Sequence, residues 1–214
     1  MLPLDDLKIL DMSRLAAGNM VSHMLADFGA DVIKVEKPGK GDDLRNWKIN
    51  DISHWWAVYS RNKRSLALNL KQEEGLRILK DLVKSADVFI ENFVPGTLEK
   101  WGIGPDQLME LNKNLIILRI SGWGQTGIYK NSPGFGSLVE GMSGFASMTG
   151  EENQTPLLPP LALADMVAGL TGFGAILMSI IVSKKNQTGG QVIDLSLFEP
   201  LFSILGPWAA SYDI

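Results

Sequence analysis

The feature that most constrains this chain is a strand-like run, a helical run and a second strand-like run packed into about thirty residues near its start. "LKILDM" (residues 7–12) is short and apolar, "GNMVSHMLADFG" (residues 18–29) follows, and "DVIKVE" (residues 31–36) is strand-like again. In the middle run Met20, Val21, Met24, Leu25 and Phe28 fall on one helical face. Asn19 is placed to cap that helix, and Gly29 to end it in a left-handed conformation. A βαβ unit of this size implies a parallel pair with a right-handed crossover, because a right-twisted strand feeding a right-handed helix packs back onto its sheet that way.

The alternation continues. "RSLALNL" (residues 64–70) reads as a strand, and "QEEGLRILKDLVKSA" (residues 72–86) as an amphipathic helix with Leu76, Leu79, Leu82 and Val83 on one side. "DVFIEN" (residues 87–92) and "LIILRISG" (residues 115–122) are strands, separated by short helices in "GTLEKWG" and "GPDQLMELN". A helical region near residues 138–148, a long apolar helix over residues 161–185 and a strand in "GGQVIDLSL" complete the order. This is an α/β pattern: a Rossmann-like, mostly parallel sheet with helices on both faces.

A chain of 214 residues, 45% of them hydrophobic, can build a real core in one large domain or two small ones. Its net charge of −4 argues against nucleic acid as the main partner. The absence of cysteine excludes disulfides and thiolate chemistry. Two distant histidines, His23 and His54, argue against a histidine metal site, so no metal is expected and both are read as structural. "MLPLDDLKIL" lacks the basic and long apolar regions of a signal peptide. Residues 161–182 are apolar enough to consider a membrane span, but they carry Asp165 and several glycines. They are read as a buried helix, in a cytoplasmic protein with no membrane partner.

Four features are candidates for chemistry. "GWGQTG" (residues 122–127) has the dinucleotide-binding spelling after a strand, but "IYKNSPGFG" follows where a phosphate-binding helix should open. Its glycines are read instead as permitting close backbone approach in an active-site loop. Lys37, Lys40, Arg45, Arg61, Lys63, Arg64 and Lys71 lie in loops or at strand ends, where α/β sheets bind ligands, and are either polyphosphate contacts or ordinary solvated charge. "ENF" (residues 91–93) offers an amide and an aromatic face at a strand end, suited to an adenine ring or to plain core packing. Asp165 follows "LLPPLALA", so it falls at the N-cap or in the first turn of a helix. That position is first of all one for a capping residue, and it also suits a carboxylate nucleophile, since helix-end N–H groups and the macrodipole favour the ionised form. The chain has no G-x-S-x-G hydrolase elbow.

Taken in order, "ILDMSRLAAGNMVSHMLADFGADVIKVEKPGKGDDLR", "NKRSLALNLKQEEG", "LVKSADVFIENFVPGTLEKWGIG" and "ISGWGQTGIY" resemble the family III CoA-transferases. That group includes formyl-CoA and crotonobetainyl/carnitine CoA-transferases and the related α-methylacyl-CoA racemases. The resemblance implies that Asp165, in "DMVAG", is the catalytic aspartate. It puts coenzyme A near Lys37, Leu68, Lys71, Asn92, Phe93 and Lys100, and brings Ala17, in "RLAAG", to the pantetheine and thioester. The implied reaction transfers CoA from an acyl-CoA to a carboxylic acid through an aspartyl anhydride and an aspartyl-CoA thioester. Acyl-CoA and an acceptor acid are the implied partners, and no cofactor is held permanently.

Several positions depart from the family pattern. Lys100 stands where arginine is common, Asn19 where proline is common, and Phe135 where a tyrosine often stands. "SPGFGSLVEGMSG" lacks the histidine of the racemases, which weighs against proton abstraction. Members are usually about twice as long, with a small domain and a C-terminal segment that completes the large domain, and two chains interlock. The chain is therefore expected to be the N-terminal part of the large CoA-binding α/β domain, and the full-length form a homodimer. An acyl-CoA racemase or isomerase, and a non-catalytic CoA-binding fragment, are the competing readings.

Overall fold

A computed structural model of the protein describes residues 1–211. Its strands are β1 (Lys8–Asp11), β2 (Asp31–Glu36), β3 (Lys63–Ala67), β4 (Val88–Glu91), β5 (Ile116–Ser121) and β6 (Gln191–Ser196). They form one sheet in the order β3-β2-β1-β4-β5-β6, and every pairing is parallel. The helices are α1 (Ala17–Asp27), α2 (His54–Tyr59), α3 (Glu73–Val83), α4 (Thr97–Lys100), α5 (Pro105–Leu111), α6 (Gly136–Met142), α7 (Leu163–Asn186) and α8 (Phe198–Ile204).

Alternating side chains bury both faces of the sheet, as a parallel sheet requires. Ile9, Val32, Ile90, Leu118 and Ile120 pack on one side with Val21 and Leu25 of α1 and Ala168 and Ile176 of α7. Leu10, Val35, Phe89 and Ile117 pack on the other with Leu79 and Val83 of α3, Leu98 of α4 and Leu108 of α5. The α/β reading, the parallel sheet and the helices on both faces are therefore observed.

Three local expectations are corrected. Asn19 does not cap α1: the helix begins two residues earlier, at Ala17, with Ala16 as an N-cap that makes no side-chain bond. Asn19 is instead buried inside the helix, where its side chain bonds the preceding loop. The buried face of α1 is made by Ala17, Val21, Leu25 and Ala26, while Phe28 is exposed and stacks on Phe173. Gly29 takes the positive φ expected of it, at +107°. The third correction concerns α7, which is not buried all round. Ala164, Ala168, Gly169, Gly172, Ile176 and Ser179 form its buried stripe, while Leu170, Met178, Ile181 and Val182 face outward. By length and composition α7 is also the one helix among the described residues that would suit a membrane span. Apolar residues all round the helix hide from sequence which side has a neighbour within this chain.

Small residues let α7 lie close against the sheet. A Cβ on Gly172 would sit 3.1 Å from each of Leu118, Leu195 and Val21, whereas one on Gly174 would meet only the tip of Met178, 3.9 Å away. Opposite effects are expected from the two positions. Gly172→Leu should cost about 1–3 kcal/mol by overpacking, while Gly174→Ala should be neutral or stabilise by up to about 1 kcal/mol through helix propensity. Urea denaturation of the two variants beside the parent protein checks this, and equal effects would contradict the packing described.

Candidate active site

The strand order reverses at β1, with β2 on one side and β4 on the other. In an open parallel sheet the loops leaving such strands diverge and leave a crevice at the C-terminal rim. The β1–α1 loop (residues 12–16) leaves the sheet at this rim. Asn92, just past β4, grips this loop: its Oδ1 accepts the Arg14 N–H at 2.8 Å and its Nδ2 donates to the Arg14 carbonyl at 2.7 Å. Leu15 sits at φ +61°, a left-handed conformation costly for a branched side chain. The loop then folds tightly over the start of α1, where a Cβ on Gly18 would overlap Ser13 at 2.2 Å.

A cluster of buried charge lies under the loop. Lys34, midway along β2 and 1% exposed, places its Nζ 3.1 Å from Asp11 and 3.2 Å from Asp42, and donates to the Ser13 carbonyl. Asp11 and Lys34 are register partners on adjacent strands, so they share a face. Lys63 reaches the same group, donating to the Asn19 carbonyl at 2.9 Å and lying 3.4 Å from Asp11. Two ammonium and two carboxylate groups thus balance out of water, the condition under which buried charge is tolerable. Burial pushes Asp11 upward, but Lys34, Lys63 and the hydroxyls of Ser13 and Ser22 outweigh it and hold Asp11 below its ordinary value. For Lys63 burial wins over the attraction of Asp11 and lowers the ammonium to about 8.

Asp165 occupies the first turn of α7 and not its N-cap, which is Ala162. Its Oδ1 accepts the N–H of Ala17, the first residue of α1, at 3.2 Å. Its other oxygen faces Gly136, the first residue of α6, where a Cβ would come within 2.8 Å. Three helix N-termini therefore converge on one carboxylate. The N–H of Ala164 goes to Glu140, a buried acid on α6, at 3.1 Å. Burial raises the Asp165 pKa from its ordinary 3.8 to about 6; the Ala17 N–H opposes the rise, and the charge on Glu140 adds to it. The result is a half-buried acid with a fixed N–H donor, ionised at neutral pH but held there at a cost.

The remaining residues singled out in the sequence spread along the same rim. Lys37 follows β2, Leu68 and Lys71 follow β3, and Phe93 follows β4. Lys37, Lys71 and Lys100 are exposed, and among the described residues they make no ion pair. Leu68 is buried, its N–H donating to Glu36 at 3.0 Å. Phe93 packs edge-on against Trp101 and carries the Arg14 guanidinium 5.1 Å from its ring centre. Only Ala17 touches Asp165 directly; Asn92 acts on the same loop through Arg14. Lys40 is exposed like the three lysines above, and the other basic candidates are engaged elsewhere. Arg45 pairs with Glu36 and lies over Trp56, Arg61 pairs with Asp27, Arg64 pairs with Asp31, and Lys63 is buried. The 122–127 loop opens no helix; Gly122 instead packs against Gly134 so closely that a Cβ would lie 2.4 Å from its Cα. A cavity of about 810 Å³ lies beside that loop, between Trp123, Tyr129, Val167, Thr171 and Phe198, and Asp165 does not line it.

Sequence reasoning missed Asp11, Lys34, Asp42 and Glu140. Lys34 carried a signal: in "DVIKVE" it stands among strand residues buried on both faces, where a lone charge demands partners. Helix α2 was also missed, because its "HWWAVY" carries aromatic and β-branched residues; Ser53 caps it, accepting from Trp56 at 3.3 Å.

This arrangement can be compared with known proteins. Residues 4–214 match the profile of CoA-transferase family III. The chain is 39% identical over 216 residues to succinyl-CoA–D-citramalate CoA-transferase of Chloroflexus aurantiacus, covering 99% of this chain and 53% of that protein. It is 39% identical over 214 residues to human succinyl-CoA:glutarate CoA-transferase, covering 98% of this chain and 48% of that one. The crystal structure of a CAIB/BAIF family protein from Brucella suis superposes with a TM-score of 0.94 at 37% identity, covering 99% of this chain and 57% of that one. The chain thus spans about half the length of the curated relatives it matches. A sheet with its order reversed at β1, a carboxylate at the head of α7 and a family match across almost every residue lead to one assignment: the chain belongs to CoA-transferase family III.

Proposed function

We propose that Asp165 is the nucleophile of a CoA-transferase and that the rim from β1 to β4 receives coenzyme A. The observation that carries this reading is the Ala17 N–H on a half-buried Asp165 carboxylate whose pKa is raised to about 6. Such an acid is ionised at neutral pH yet poorly hydrated, which favours attack on a carbonyl carbon. An Asp165 oxygen attacks the thioester carbonyl of the donor acyl-CoA, and CoA leaves as the thiolate, giving a mixed anhydride. The thiolate then attacks the aspartyl carbonyl, releasing the donor acid as a carboxylate and leaving an aspartyl-CoA thioester. The acceptor carboxylate attacks that thioester and expels the thiolate. The thiolate finally attacks the acceptor's acyl carbon, which yields the new acyl-CoA and frees Asp165. The N–H of Ala17, at the start of α1, is the backbone donor already on the Asp165 carboxylate and is placed to serve a developing oxyanion there.

In this reading Lys37, Lys71 and Lys100 supply charge for the phosphates of CoA, Phe93 supplies a face for its base, and Leu68 lines the cleft. CoA enters as substrate, and no permanent cofactor is required. The two relatives described above are named for succinyl-CoA and dicarboxylic acids, which makes a short dicarboxylic acyl-CoA the preferred donor. The outward apolar residues of α7 and α8, including Leu170, Met178, Ile181, Phe202 and Ile204, would be covered by further chain and a second copy in a complete homodimer.

Two outcomes are expected of the full-length protein that carries this segment. Incubation with an acyl-CoA and hydroxylamine should leave a hydroxamate on Asp165, detectable by peptide mass, and Asp165→Ala should lower kcat by at least about a thousandfold. Absence of the adduct together with full activity of Asp165→Ala would refute the mechanism.

The second outcome is a dependence on pH. The rate should rise with pH through an acid limb near 6, where Asp165 ionises. Stability moves the other way. A carboxylate whose folded pKa is raised binds its proton more tightly when folded, so its contribution is fully present below 3.8 and is lost as pH rises through about 6. Asp165→Asn should therefore raise the melting temperature at pH 8 and leave it unchanged at pH 3.5; a gain that is the same at both pH values would disprove the linkage.

A further inference from the structure

Asp42 makes no hydrogen bond with Asp165 among the described residues, yet it is bonded to the loop that leads to Ala17. It is 3% exposed. Its Oδ1 accepts the N–H of Leu15 and the N–H of Leu44, both at 2.9 Å, and its Oδ2 accepts from Asn19 Nδ2 at 2.6 Å and faces Lys34 at 3.2 Å. The same Asn19 Nδ2 donates to the Leu15 carbonyl at 2.7 Å. Both peptide groups of Leu15 are thus tied to Asp42, one directly and one through Asn19. Asp42 is itself anchored, since its N–H donates at 2.8 Å to Glu36 at the end of β2, and Glu36 is held by Arg45 and Ser65. A leucine at φ +61° persists only where its surroundings over-determine it. Two residues further on, the Ala17 N–H meets Asp165.

We propose that Asp42 is a positioning residue: it clamps Leu15 in its left-handed turn and thereby aims the Ala17 N–H at the Asp165 carboxylate. The inference rests on Asp165 being the nucleophile, and it adds the chain of contacts that fixes the donor. The path runs from β2 through Glu36 and Asp42 to Leu15 and then to Ala17, using rigid sheet to place a loop atom. The exposed lysines of the rim are not part of it, so binding of CoA should be largely spared.

The test uses Asp42→Asn in the full-length protein. This change keeps the shape of the side chain but removes the charge and one acceptor oxygen. The expected result is a fall in kcat of about tenfold with KM for acyl-CoA within about twofold of the parent. The acid limb of kcat should also move to higher pH, because an Asp165 carboxylate with a less well-aimed N–H ionises less readily. Wild-type kcat with an unmoved acid limb would overturn the proposal. So would a loss of rate matched by a loss of folded protein, again with the limb unmoved, since a merely structural role predicts that pattern. Hydrogen exchange on the unmodified protein gives an answer even if the variant does not fold. The Leu15 and Ala17 amides should exchange as slowly as those of β1, and exchange at the rate of an open loop would overturn the clamp. Hydroxylamine capture on the unmodified protein separates the two ideas: no adduct on Asp165 removes the nucleophile, whereas an adduct with an indifferent Asp42→Asn removes only the clamp.

Discussion

The ammonium of Lys34, 1% exposed in the middle of a parallel sheet, is the constraint on which the rest of the site depends. A charge in that position is tolerable only when it is paired and hydrogen-bonded. It therefore dictates what surrounds it: Asp11 on the neighbouring strand, Asp42 from the β2–α2 connection and the Ser13 carbonyl from the β1–α1 loop. Replacing such a group with hydrocarbon is often neutral for stability, so its value lies in the geometry it selects. Here it draws two loops, each leaving the C-terminal end of a strand, onto one point. Apolar packing could bring the same loops together, but it would not fix where a particular N–H points.

The consequence is felt at Asp165, where four effects compete. Burial favours the protonated acid, and the nearby charge of Glu140 adds to it, while the Ala17 N–H and the head of its own helix favour the carboxylate. Neither side wins outright, and the pKa settles near 6. Full exposure would leave the acid ordinary and well hydrated; burial without a donor would leave it protonated at neutral pH. The role of Glu140 follows from the same balance. By accepting the Ala164 N–H it occupies a donor at the head of α7, and its charge adds to the rise that burial causes at Asp165.

Much of the fold is legible in the sequence because its signals are local. The βαβ spacing, the amphipathic run with Leu79 and Val83, and the apolar strand of residues 115–122 each announce themselves within a dozen residues. Asp165 is legible as a residue of the N-cap or first turn because two prolines and an apolar run bracket it. Local rules leave cap and nucleophile open there, because the groups that set this acid's surroundings lie elsewhere in the chain: Ala17, 148 residues earlier, and Gly136 and Glu140 on another helix. The capping role assigned to Asn19 fails for the same reason. Asparagine suits a cap by propensity, but a carboxylate, a lysine and a carbonyl brought in by the fold give it more bonds inside the helix.

Helix α7 shows how one element serves two demands. Its buried stripe is alanine, glycine and serine apart from Ile176, so its axis lies close to the sheet and its first turn meets the start of α1. Larger side chains on that stripe would lift the helix away and carry Asp165 with it, breaking a contact already at 3.2 Å. The donor distance at Asp165 is therefore set twice: from below by the packing of α7 on β5 and β6, and from the side by the charge cluster that holds the loop. Either support alone would fix one partner of the hydrogen bond and leave the other free to move.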